Sequence, residues 1–83
     1  MKLQPTRQAI VQYLLEHGLI EGQDYTIGGL RTNKARNDRS LIGIEEFNGF
    51  WRTYVAEEAR KTGYEHWPSF LCAAKHIIEE HNG

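Results

Sequence analysis

The residue types with most chemical potential fall into three groups. The first is a run of positive charge, in which Arg31, Lys34, Arg36 and Arg39 stand against Asp38 alone, with Asn33 and Asn37 interspersed. Arginine and lysine bind phosphates, and asparagine side chains can hydrogen-bond base edges. The second is Cys72, His76 and Glu80. Their i, i+4 spacing would line them along one side of a helix. A zinc site needs four ligands and announces itself as two ligand pairs, whereas here a single pair would rely on His66 or His81 for completion. No metal and no cofactor are expected. The third group is aromatic: Phe47, Phe50, Trp51 and Tyr54, followed by Tyr64, Trp67 and Phe70. Core packing accounts for most large aromatics in a small domain. Trp67 differs, because it stands in a short link before Pro68, where an exposed indole would make a binding anchor.

Catalysis is not expected. A Cys–His nucleophile needs an oxyanion stabiliser and a cleft as well as proximity. Glu45-Glu46 and Glu57-Glu58 are adjacent pairs, which on a helix point about 100° apart and make poor acid–base dyads. Gly28-Gly29 belongs to neither glycine-rich phosphate-binding pattern.

These groups are carried by 83 residues and 9.6 kDa, enough for one domain spanning residues 1–83. Hydrophobic residues at 40% and charged residues at 25% describe a globular chain rather than a disordered or collagenous one. The longest apolar run, Phe70 to Ala74, is far short of the ~20 residues of a membrane span. The start of the chain lacks the apolar stretch of a secretory signal, and Cys72 is the single cysteine. Both point to a cytoplasmic protein with no membrane partner. The net charge of −1 is unevenly spread: residues 1–44 carry six basic and four acidic groups, residues 45–83 four basic and seven acidic.

The elements that must position these groups are read from periodicity. Ile10, Tyr13, Leu14 and His17 fall at i, i+3, i+4 and i+7 between Pro5 and Gly18, which predicts a helix over 5–17. Residues 24–31 and 40–45 are short, β-branched or aromatic, and flanked by turn formers. They predict an antiparallel hairpin whose loop, 32–39, is polar and basic. Phe47, Phe50, Trp51, Tyr54 and Val55 then repeat with helical spacing, predicting a second helix over 45–62. After the link 64–67, Pro68 opens a last helix with Phe70, Leu71, Ala74, Ile77 and Ile78 inward. The expected fold is α+β in the order α-β-β-α-α, an antiparallel two-stranded hairpin packed by three helices. Its expected core is Ile10, Leu14, Ile27, Ile42, Phe47, Phe50, Trp51, Tyr54, Leu71, Ala74 and Ile77.

Residues 14–20 followed by Tyr25, Thr26 and Ile27 resemble the end of a recognition helix entering the wing of a winged-helix protein. The resemblance spans about 25 residues and lacks the two preceding helices of a helix-turn-helix. The expected function is a small, non-enzymatic regulator that binds DNA or RNA through the basic hairpin loop, with Arg31, Asn33, Lys34, Arg36, Asn37 and Arg39 as contacts. The competing expectation is an inhibitor or adaptor that docks on a protein partner through Tyr64, Trp67 and acidic helices.

Overall fold

A computed structural model of the chain describes residues 5–32, 35 and 41–82. Among them, two helices and four strands follow in the order α1 (Arg7–Glu16), β1 (Tyr25–Ile27), β2 (Leu41–Phe47), β3 (Phe50–Ala56), β4 (Lys61–Trp67) and α2 (Phe70–Asn82). The strands form one mixed sheet in the order β1-β2-β3-β4. Neither helix is long and apolar enough to cross a membrane.

Helix α1 starts where its chemistry dictates. Thr6 is the cap, its hydroxyl accepting from the Ala9 amide at 3.1 Å, so Pro5 stands before the helix rather than in its first turn. Gly18, at φ +84°, ends the helix; the Leu19 amide reaches back to the Leu14 carbonyl at 2.9 Å and the Gly18 amide to Leu15 at 2.9 Å. That paired closure turns Leu19 into the core, where it is wholly buried.

The helix expected over 45–62 does not form. Asn48 and Gly49 both have positive φ, +50° and +81°, the backbone of a tight two-residue hairpin turn. Phe47 and Phe50 pair across it, and β2 and β3 continue antiparallel to Leu41 and Ala56. Side chains then alternate with period two: Trp51, Thr53 and Val55 point to one face, and Phe50, Arg52, Tyr54 and Ala56 to the other. The aromatic and β-branched composition that reads as an apolar helical stripe suits a pleated strand equally well. The link at 64–67 is likewise strand, part of β4, which pairs antiparallel with β3 and carries an irregularity near Gly63.

The hairpin expected between residues 24–31 and 40–45 is also absent. β1 runs parallel to β2, with Tyr25 opposite Ile42 and Ile27 opposite Ile44. Parallel neighbours cannot be joined by a tight turn, and the 13 residues 28–40 supply the crossover. The basic segment 31–39 therefore belongs to a crossover between parallel strands, not to a hairpin loop.

Both helices cover one face of the sheet. Ile10 and Leu14 of α1 and Ala73, Ala74 and Ile77 of α2 meet Leu19, Tyr25, Ile44 and Trp51 in the main core. The two alanines let α2 sit close, and Phe70 meets Trp51 edge-on at 5.4 Å. Of the expected core, Ile10, Leu14, Trp51, Tyr54, Ala74 and Ile77 are buried, while Ile27 and Ile42 are half-buried. Phe47, Phe50 and Leu71 are exposed at 43%, 56% and 60%. Cys72 is exposed as well.

Candidate functional site

The face without helices carries the densest chemistry. Glu45 on β2, Arg52 on β3 and Lys61 on β4 bring three charges together on adjacent strands. The Glu45 carboxylate accepts from Arg52 Nε at 2.6 Å and from Lys61 Nζ at 2.9 Å. Burial works to raise the Glu45 carboxyl, but the hydrogen bonds from Lys61 and Arg52 and their charges outweigh it, holding the group below the ordinary carboxylate range. The Arg52 guanidinium also lies against two rings, 4.0 Å from the Phe47 centroid and 4.2 Å from that of Tyr64. It is thus fixed in position with its charge largely answered by Glu45.

The two ends of this face differ. At one end Tyr54 packs with Leu41 and Ala56, and its ring lies so close over Gly43, its cross-strand partner, that a Cβ at position 43 would overlap it. The crossover is tied down here. Tyr54 donates its hydroxyl to the Gly29 carbonyl at 2.8 Å, Lys61 donates to Gly28 at 2.9 Å, and the Arg31 amide donates to Glu57 at 3.1 Å. Ala35 packs against Leu41, Tyr54 and Ala56. Burial, then the charge of Glu45, pushes the Tyr54 hydroxyl above its ordinary value, so it remains a protonated donor. At the other end, Phe47, Phe50 and Tyr64 stay exposed, the last at 41%, and His66 stands beside Phe47.

Of the expected contacts, Arg31 lies at the covered end with its guanidinium 3.6 Å from Glu58. Asn33, Lys34, Arg36, Asn37 and Arg39 lie outside the described residues. Tyr64 belongs to the open face and touches Arg52. Trp67 does not: it packs against the main core, donates its indole N–H to Thr53 Oγ1 at 3.0 Å, and stacks on His76 at 4.9 Å. Phe47, Phe50, Arg52, Glu45 and Lys61 escape a helical reading, because only the Asn48-Gly49 turn followed by alternation puts Phe50, Arg52 and Tyr54 on one side.

The opposite face offers less. A cleft of about 180 Å³ between β4 and α2 is lined by Thr53, Val55, Glu65, His76 and Glu80. It is smaller than the roughly 300 Å³ at which small-molecule pockets begin. Among the described residues, no three histidine, cysteine or acidic side chains converge as a metal site would require.

Compared with known proteins, the chain matches no family model, no curated protein and no solved structure.

Proposed function

We propose that the protein is a small, non-enzymatic nucleic-acid-binding regulator of the cytoplasm, whose contact surface is the open sheet face together with the basic segment 31–39. One observation carries the reading: Ala35, inside the basic segment, packs on the same face that presents Phe47, Phe50, Arg52 and Tyr64. Exposed rings and a basic segment in one small chain are the combination that nucleic acids reward, through counterion release and base contact. The chain's net charge of −1 does not oppose this, since four of its ten basic groups lie between residues 31 and 39. Docking on a protein partner is the competing reading. Of its two anchors, Trp67 packs on the main core with its indole N–H donated to Thr53, while Tyr64 stays exposed.

The test is an anisotropy titration against mixed DNA and RNA at two salt concentrations. Binding should weaken with salt. Arg36→Ala with Arg39→Ala should flatten the log–log slope by about 1.4 on a single strand or about 1.8 on a duplex. Absence of binding at low salt, or a slope unchanged in the double variant, would overturn the reading.

A further inference from the structure

We propose that the outer edge of β4 pairs with the β4 of a second copy of this chain, antiparallel and about a two-fold axis; the proposal stands apart from the nucleic-acid reading above. The two ends of the sheet argue first. β1 and β4 are its outer strands. The outer side of β1 is already covered by the turn before it. Glu21 forms a bridge with Tyr25, the Gly22 amide donates to the Tyr25 carbonyl at 2.7 Å, and the Thr32 hydroxyl donates to the Gly22 carbonyl at 2.6 Å. Among the described residues β4 pairs with β3 alone, and positions 63–66 are all exposed.

The register shows which backbone groups point outward. Phe47 and Phe50 close the two-residue turn as a hydrogen-bonded pair, so every second residue of β3 from Phe50 to Ala56 directs its amide and carbonyl to β2. Trp51 and Thr53 therefore bond to β4, through their partners Trp67 and Glu65. Tyr64 and His66 direct their amides and carbonyls the other way, where no described backbone group meets them. Such a row of donors and acceptors is matched by another extended backbone. A second copy carries the same row, so a two-fold axis satisfies both strands at once.

The usual guards of an edge strand are spent elsewhere. Lys61, the lysine of β4, is turned to Glu45 and the Gly28 carbonyl; the irregularity lies at Gly63, before this stretch; Pro68 stands after it. Glu65 is the one carboxylate in 63–67, and it disfavours only the register that sets it opposite its own copy. Tyr64 and His66 lie on the open face, so pairing brings rings of both copies together and covers Tyr64. With the β1 edge covered, association closes at two chains, whereas two open edges would continue into a filament. The product joins two four-stranded sheets into one, with both open faces side by side.

A contact this short is smaller than the ~1,200 Å² of a stable complex, so sedimentation should show monomer at about 1 μM passing to dimer, and no further, by about 1 mM. His66→Pro and His66→Ala divide backbone from side chain. Proline is tolerated on an edge where the N–H faces outward, so His66→Pro should keep the fold while each copy loses a donor. Two lost hydrogen bonds should raise the dissociation constant roughly 5- to 150-fold. His66→Ala keeps the amide and should dimerise within about threefold of wild type. Amide hydrogen exchange of the wild type needs no variant and decides the matter should His66→Pro fail to fold. Protection of the Tyr64 and His66 amides should rise with concentration, while the Glu65 and Trp67 amides, bonded to β3, are protected throughout. A chain monomeric at every concentration, growth beyond two chains, a dimer unaffected by His66→Pro, His66→Ala as damaging as His66→Pro, or Tyr64 and His66 amides indifferent to concentration would each overturn the proposal.

Discussion

Trp51 and Phe50 are neighbours in the chain and opposites in the structure. Trp51 faces the helices and is 6% exposed, touching Phe70 and the main core; Phe50 faces away and is more than half exposed. The same opposition runs along the whole sheet. The helix-covered face is filled by aliphatic and aromatic side chains, with Thr53 satisfied by the Trp67 indole. The open face is held by charges, rings and backbone carbonyls: Glu45 with Arg52 and Lys61, Tyr54 with Gly29, Lys61 with Gly28. One face is committed to stability. The other is ordered by directional contacts that hold its groups in place while keeping three rings accessible.

Substitutions on the two faces should separate these roles. The largest effect belongs to Trp51→Ala, which empties part of the main core and should cost ~3–5 kcal/mol, enough to unfold much of so small a domain in a denaturant titration. An unchanged midpoint would mean the covered face does not carry the stability.

An intermediate effect belongs to Glu45→Gln. It removes the negative charge shared by Arg52 and Lys61 and one of the two acceptor oxygens, and should cost about 1.5–3 kcal/mol at neutral pH, the range for hydrogen bonds to charged groups. Because folding depresses the Glu45 carboxyl, its contribution is complete above the unfolded carboxylate value, near 4.3, and is lost as the pH falls through the lower folded value. Melting curves of wild type and Glu45→Gln should therefore differ at pH 7 and converge in acid. A gap that stays constant from pH 7 to pH 3 would show that Glu45 does not act through its charge.

The smallest effect belongs to Phe50→Ala, whose stability should stay within about 0.5 kcal/mol of wild type although it removes an entire ring. A loss approaching that of Trp51→Ala would erase the distinction between the faces.

How much of this can be read from residues alone depends on the range over which each signal acts. α1 is legible because its starting proline, its apolar spacing and its glycine stop all fall between Pro5 and Gly18, although its Thr6 cap escapes that reading. α2 is legible for similar reasons, although Leu71 and Cys72 turn out to face water. The segment 45–62 misleads because Phe47, Phe50, Trp51, Tyr54 and Val55 satisfy helical spacing while lying on two strands and both faces. A glycine inside a helix is tolerable, but Asn followed by Gly between aromatic runs is a stronger signal for a turn, and it outweighs the periodicity. The parallel pairing of β1 with β2 leaves no comparable local mark, since its register is decided by contacts across 13 intervening residues. Loss of those two elements carries the site with it. Arg52 can be placed against Phe47 and Tyr64 only once β2, β3 and β4 are known to lie side by side.

The two helices that cover one face come from either side of the sheet in the chain, and this bears on how the protein is made. Synthesis runs at about 5–20 residues per second, so α1 leaves the ribosome before any strand it will cover exists. β2 and β3 can then zip through their two-residue turn on a microsecond scale. Their inner face must still wait for Ala73, Ala74 and Ile77, which follow every strand. For several seconds the nascent chain therefore holds Trp51 and Ile44 without their final neighbours, a window in which a chaperone, rather than α2, is the natural cover for that face.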